Sequence, residues 1–352
     1  MLNKFMCFKK ERYTPNSQLA KIHLTIDNES NSSEDISLAP STPINISPKE
    51  DILYVILPYF NFCKSTRRKQ LFIEFINRIK NINNIRIVVV EGTIENFTLP
   101  KVINGVFSHH GFKYKTQFWC KENLINLAVH TLPNTWKYMA WIDADITFLN
   151  NNWVNLTIEE LKKYNFVQLF ETAVNMGPNE EAIKIDRSFG YMYKNSNNEW
   201  VADHRYGYWH CGYAWSCNRY AFDKLNGIID IDILGSGDLH LALALIQKID
   251  KSVKPKEIPK YLDILKDYET LIRIYNITLS YIPGTILHHW HGRFQDRKYV
   301  ERWGILIDNK YEPNIDIIRN SDGQIELSEK GKRMEKEIQQ YFIDRQEDNM
   351  TI

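Results

Sequence analysis

Two aspartates, Asp143 and Asp145, stand two residues apart at the end of the apolar run Tyr138-Met139-Ala140-Trp141-Ile142. In extended backbone, residues i and i+2 point the same way, so both carboxylates can face one site. Two like charges that close are costly unless a cation or a proton offsets them. A divalent ion such as Mn2+ or Mg2+ meets that need, because it takes carboxylate oxygens and bridges substrate phosphates. The same residues also fit a turn cap and a solvated neighbour. A second group is Leu287-His288-His289-Trp290-His291-Gly292. One histidine is more often a hydrogen-bonded polar group than a ligand, but three in four residues after a strand make a metal-site candidate. Arg293, Arg297, Lys298 and Arg302 follow. On a helix, Arg293, Arg297 and Lys298 fall on one side and could hold a diphosphate, or form a solvated basic face. A third group is Gly235-Ser236-Gly237-Asp238. It reads as a helix N-cap, as a carboxylate on a glycine-flanked turn that substrate can approach, or as both.

Behind these residues lies a repeating pattern. Ile52 to Asn61 reads as a buried strand carrying Pro58 and Tyr59 at its end. Ser65 or Thr66 caps a helix with Leu71, Phe72, Phe75, Ile76 and Ile79 on one face, and Ile85 to Val90 is a second strand ending in Glu91. Such a β-α-β unit implies parallel neighbours, and ligands bind at the carboxyl ends of parallel strands. Pro58, Tyr59, Glu91, Asp143 and Asp145 would then share one rim. A helix from Lys121 to Thr131 feeds the aspartate strand, and Thr157-Ile158-Glu159-Glu160 reads as a capping box. Asn165 to Phe170 is strand-like, whereas 171–208 shows little periodicity and reads as a long loop, a mobile lid beside the site. Arg219 to Leu225 is a short helix with Gly227 as its cap. From Ser328 an amphipathic helix carries Met334, Ile338, Tyr341 and Phe342.

The chain has 352 residues, 43% hydrophobic, enough for one large α/β domain. Residues 1–50 are polar and read as a disordered tail. A net charge of +1 offers nothing to nucleic acid. Five scattered cysteines have neither zinc spacing nor a disulfide framework, which suits a reducing compartment. Without an apolar run of signal-peptide or membrane-span length, a cytoplasmic protein is expected. The Asn- and Ile-rich composition fits an AT-rich genome, such as that of a bacterium, phage or large DNA virus.

Taken in order, the strand ending in Pro58-Tyr59, the Asp143-x-Asp145 strand, the Gly212-Tyr213-Ala214 segment, the Gly235–Asp238 turn and the late histidines resemble the nucleotide-sugar glycosyltransferases of the GT-A fold. The group is that of the β-1,4-galactosyltransferases and polypeptide N-acetylgalactosaminyltransferases, and the resemblance spans roughly 52–304. It implies a mixed, mostly parallel sheet flanked by helices, a single catalytic domain over 51–310 and a C-terminal extension over 311–352. The implied reaction is metal-dependent transfer of a sugar from a nucleotide-sugar, most simply a UDP-sugar, to a hydroxyl on a glycan or protein. Asp145 would ligate Mn2+ or Mg2+, with Asp143 acting through water or on the ribose. His291, with His288 or His289, would complete the ligands, since His288 and His291 have the family's spacing. Arg293, Arg297 and Lys298 would hold the diphosphate, while Pro58, Tyr59 and Glu91 would line the nucleoside pocket. Trp209 and Trp215 would stack on the acceptor, unless they are core. Asp238 would be the base of an inverting reaction or orient the acceptor of a retaining one. The family's turn usually carries consecutive acids; here Leu239 follows Asp238. Two other classes compete. A nucleotidyltransferase would need a glycine-rich loop where Pro58-Tyr59-Phe60-Asn61-Phe62 stands, and a non-catalytic sugar-binding protein would need neither acids nor histidines.

Overall fold

The computed structural model describes residues 51–197, 209–252 and 257–351. The expected disordered tail, 1–50, lies outside them. The chain opens with β1 (Leu53–Phe60), α1 (Thr66–Ile79), β2 (Ile85–Thr93), β3 (Ser108–Lys113), α2 (Lys121–Val129) and β4 (Tyr138–Ile142). Next come β5 (Ile146–Phe148), α3 (Trp153–Leu161), β6 (Phe166–Gln168), β7 (Thr172–Met176), β8 (Ala182–Ser188) and α4 (Phe189–Asn195). After them follow β9 (Trp209–His210), β10 (Ala214–Asn218), α5 (Arg219–Leu225), α6 (Gly237–Leu245), α7 (Pro259–Ile274), β11 (Leu279–Tyr281) and β12 (Thr285–His288). The chain closes with α8 (Trp303–Asp308), α9 (Pro313–Asp316), β13 (Ile317–Arg319), β14 (Ile325–Leu327) and α10 (Glu335–Asp344).

Seven strands form one sheet in the order β11-β6-β10-β4-β1-β2-β3, and only β10 runs against the rest. Both faces are covered. Along β1, Val55, Leu57 and Tyr59 pack towards α1, whose Phe72, Phe75 and Ile76 are buried there. Ile56 and Phe60 point the other way, into the core with α2 and α6. Burial on both faces is why these strands read as near-continuous apolar runs. The mostly parallel α/β class expected from the sequence is the observed one. Ser65 caps α1 by accepting from the Arg68 amide. No helix among the described residues is long and apolar enough to cross a membrane.

Several local expectations are corrected. Residues 171–197 are not a loop: β7 and β8 pair antiparallel and α4 follows. The hairpin carries no strand signal in the sequence because its inward positions include polar Asn175 and Asp186, both buried, which breaks apolar alternation. The lid placed on this region falls, in its remaining part 198–208, outside the described residues. The capping box at Thr157 does not open a helix either. α3 begins at Trp153, and the Thr157 hydroxyl donates back to the Trp153 carbonyl from mid-helix. Asn226, in the left-handed region, caps α5 ahead of Gly227.

A second sheet, β5-β12-β7-β8-β9, stands at the carboxyl end of β4. The C-terminal α10 buries Ile338, Tyr341 and Phe342, and the 3-10 turn before it buries Met334, in the same core as β1 and α2. Beyond it, Asp348 accepts from Ser65 Oγ at 2.7 Å and from the Arg67 amide at 2.8 Å. The chain end is thereby tied to the first turn of α1, where a carboxylate suits the helix dipole.

Candidate active site

Register builds the site. β12 lies antiparallel to β5 with His288 opposite Ile146, and the His289 amide donates to the Asp145 carbonyl at 2.7 Å. The histidine turn is therefore laid across the aspartate turn. His291 Nε2 is 2.8 Å from Asp145 Oδ2, His288 Nε2 is 3.8 Å from it, and the two Nε2 atoms are 3.4 Å apart. One ligand atom from each of Asp145, His288 and His291 fits within a sphere of mutual distances under 4.8 Å. Asp145 Oδ1 and His291 Nδ1 are buried without a partner among the described residues.

His291 can join Asp145 through one Nε2 proton, but His288 has none to give. On its far side β12 runs parallel to β7 with His288 opposite Asn175. Asn175 Oδ1 accepts from the Tyr213 hydroxyl at 2.7 Å and lies 3.0 Å from His288 Nδ1, while its Nδ2 donates to Asp186 at 2.9 Å. The amide is thus oriented by its network, and Nδ1 of His288 must be the donor. A neutral His288 then presents a bare Nε2 to the aspartate, and burial pushes both His288 and His291 below the ordinary histidine range. The bare His288 Nε2 facing a carboxylate is what a cation would resolve, and two imidazoles with one carboxylate are a fitting donor set for a divalent transition metal. Replacing Asn175 by Leu frees the His288 ring, and Mn2+ affinity measured by titration calorimetry is expected to fall about 10- to 100-fold.

The other carboxylates gather around a lysine. Lys121, the first residue of α2, is buried and places Nζ 2.8 Å from Asp143 and 3.0 Å from Asp238. Burial pushes Asp143 up to about 6, against the pull of Lys121. Asp143 is fixed in turn by its amide, which donates to the Tyr213 carbonyl at 2.7 Å. Tyr213 has φ +77°, a costly conformation for an aromatic residue, and stacks its ring on His210 at 4.0 Å. Asp238 lies in the first turn of α6, and Ser236 holds the cap position at φ +95° without a side-chain cap bond. Gly237 between them is required by space. A Cβ there would stand 2.6 Å from the carboxyls of both Asp232 and Glu122.

Those two acids are buried, and burial pushes Asp232 up to about 8. An unfolded aspartate titrates near 3.9. Between about pH 4 and 8 the folded chain therefore keeps a proton that the unfolded chain has lost, and stability falls as pH rises. Asp232→Asn keeps the acceptor for the Tyr261 hydroxyl, now 2.6 Å away. It is expected to flatten urea midpoints between pH 5 and pH 8 and to gain on the order of a few kcal/mol at the upper end.

Asp143, Asp145, Asp238, His288, His291, Arg297, Pro58 and Tyr59 all line one cavity of about 780 Å3. Others of the expected residues stand elsewhere. Glu91 turns inward and accepts from the Thr98 amide at 2.6 Å, holding the loop after β2. Trp215 is fully buried in the central sheet, its indole donating to the Cys211 carbonyl, and Trp209 packs edge-on against Phe189. Neither offers a face to a sugar. His289 turns away to Thr147 at 2.8 Å. The expected basic helix is one 3-10 turn, Phe294–Arg297. Arg293 pairs outward with Asp296 and Lys298 with Asp344, so only Arg297 reaches the cavity. Its Nη2 is 2.9 Å from His291 Nε2.

Residues given no role by the sequence complete the walls: Lys121, Arg68, Arg302, Arg345 and Trp119. Lys121 left one signal, a cation in a first helical turn where the dipole disfavours it. Arg68 and Arg345 share the carboxylate of Glu347, at 2.6 and 2.8 Å, and Arg345 lies over the Trp119 ring.

Neither a protein-family model nor a curated protein sequence matches the chain. Solved structures similar to it are GT-A-type nucleotide-sugar transferases and nucleotidyltransferases. A Drosophila β-1,4-galactosyltransferase 7 mutant, in complex with manganese, UDP-Gal and xylobiose, is 14% identical with a TM-score of 0.40, over 79% of this chain and 95% of that one. A mannosyltransferase from Pyrobaculum calidifontis, in complex with GDP-Man and Mn2+, is 13% identical at 0.38, over 76% and 64%. A 4-diphosphocytidyl-2C-methyl-D-erythritol synthase from Anaerococcus prevotii is 11% identical at 0.31, over 66% and 87%. With every TM-score below 0.5, these likenesses carry no functional weight of their own.

Proposed function

We propose that the chain is a metal-dependent glycosyltransferase that moves a sugar from a nucleoside diphosphate sugar, most simply a UDP-sugar, to a hydroxyl acceptor on a glycan or protein. The observation that carries this reading is the meeting, in one cavity, of the Asp145–His288–His291 cluster with a separate, lysine-held carboxylate, Asp238. A divalent ion held by Asp145, His288 and His291 would offset the charge that collects on a departing diphosphate. Arg297, buried beside His291, would donate to a phosphate oxygen. Pro58, Tyr59 and Phe60, at the end of β1, line the part of the cavity that would take the nucleoside. Asp143, fixed by Lys121 and by the Tyr213 carbonyl, is placed to accept from a sugar or ribose hydroxyl. Asp238 would take the proton of the acceptor hydroxyl if configuration inverts. Lys121 ties the two carboxylates into one geometry.

The test is a donor panel of UDP- and GDP-sugars with Mn2+, Mg2+ or EDTA, following released nucleotide. Slow release of nucleoside diphosphate from one donor, abolished by EDTA, is the expected result. Mn2+ should exceed Mg2+ by about tenfold or more, because two of the three ligands are imidazoles and Mg2+ prefers an all-oxygen shell. Pyrophosphate release from nucleoside triphosphates would instead favour a nucleotidyltransferase. No metal-dependent nucleotide binding by calorimetry would end the reading.

A further inference from the structure

The charged residues of the cavity wall can be sorted by what balances them. Lys121 has Asp143 and Asp238, Lys184 has Asp186 at 2.9 Å, and Arg68 and Arg345 have Glu347. Two cations of the wall, Arg297 and Arg302, have no carboxylate partner among the described residues. Both are more than nine-tenths buried, and the Nε of each is buried without an acceptor. A buried cation without a counter-charge is costly, so each marks a place where a ligand's negative charge would be welcome.

The two arginines serve different sides. Arg297 touches the metal cluster through His291 and donates to the Tyr299 hydroxyl at 3.1 Å. Arg302 lies over the face of the same Tyr299 ring, 5.2 Å from its centre, whereas Arg297 meets that residue at its hydroxyl. Its Nη2 donates to Ser236 Oγ at 2.6 Å, two residues before Asp238, and its Nη1 to the Tyr341 hydroxyl at 3.2 Å. Arg345 donates to that same phenol oxygen at 3.0 Å, which brings a second guanidinium alongside. Asp232 lies within the field of Arg302, but burial holds it protonated near neutral pH, so it supplies no full charge.

We infer that Arg302, flanked by Ser236 and Arg345, is an anion subsite on the Asp238 side of the cavity, and that the acceptor carries a carboxylate or phosphate group near its reacting hydroxyl. This rests on the glycosyltransferase reading. The diphosphate of the donor falls to Arg297 and the metal cluster, and the second anion position belongs to the molecule that approaches Asp238. A guanidinium fork suits both carboxylate and phosphate, and three of the five N–H groups of Arg302 are not engaged by Ser236 or Tyr341.

The test uses the full chain saturated with UDP and Mn2+, titrated calorimetrically with glucose, glucuronate and glucose 6-phosphate. One or both anionic sugars should bind about tenfold or more tightly than glucose, and which of them does identifies the group. In Arg302→Gln that preference should shrink to about twofold or less, with UDP affinity changed by no more than about twofold. Arg302→Lys, which keeps the charge and protects against a simple failure to fold, should retain part of the preference. Equal binding of the three sugars, no binding of either anion, or an undiminished preference in Arg302→Gln would each overturn the inference. A tenfold loss of UDP affinity in Arg302→Gln would overturn it too, by assigning the arginine to the donor. Failure of the wild type to bind UDP with Mn2+ would instead strike the glycosyltransferase reading itself.

Discussion

Asp145→Asn is expected to lower metal-dependent donor turnover about a thousandfold, with the fold intact. Asp145 is the only carboxylate of the cluster, and its Oδ2 sits 2.8 Å from His291 and 3.8 Å from His288. In the proposed reaction its charge is what would hold a divalent cation against two neutral imidazoles and the nearby Arg297. Asparagine keeps the shape and loses that charge. Charge stabilisation by a bound metal is worth several kcal/mol in a transition state, and each 1.36 kcal/mol is a factor of about ten in rate. The measurement pairs nucleotide release with Mn2+ titration of both proteins. Affinity and rate should fall together, and excess Mn2+ should restore part of the rate. A variant that retains activity within about tenfold would show that the cluster is not the metal centre of the reaction.

Asp238→Asn should give the second large effect, of a different kind. Loss of a positioned general base costs about 10²- to 10⁴-fold. The carboxylate touches Lys121 rather than the histidines. Transfer to acceptor should therefore collapse while Mn2+-dependent UDP binding stays within about twofold. If transfer survives, Asp238 is a first-turn residue of α6 that merely favours the helix dipole. If UDP binding collapses instead, the lysine-bridged pair Asp143–Lys121–Asp238 acts as one donor-binding unit. The two variants together separate the metal side of the cavity from the acceptor side.

Much of the frame was legible because it obeys local rules. The β1-α1-β2 unit could be read residue by residue. All five apolar positions assigned to the inner face of α1 are buried, and Ser65 is the cap. β4 ends where the apolar run ends, with its two aspartates at the carboxyl edge of a mostly parallel sheet. His288 and His291 lie side by side, 3.4 Å apart, because a strand end followed by a tight turn keeps near neighbours near. His289 departed from the group for the same reason, since the residue after β12 points across the turn to Thr147.

What sequence alone determined here is the set of short-range facts: strands apolar on both sides, helices with one apolar stripe, and acids or histidines placed at strand ends. These follow from backbone periodicity, which acts over a few residues. Tertiary structure decided which of the polar residues meet. Lys121 reaches Asp238 across 117 positions, and Asn175 reaches His288 across 113. Glu347 joins Arg68 across 279. No local pattern encodes such pairs, because a buried ion or amide is chosen by the partner that desolvation forces on it, and that partner is set by strand register and helix packing. The same logic removed Trp215 from the ligand's reach. A tryptophan in a sequence can be a sugar platform or a core block, and the antiparallel pairing of β10 between β4 and β6 buried this one completely.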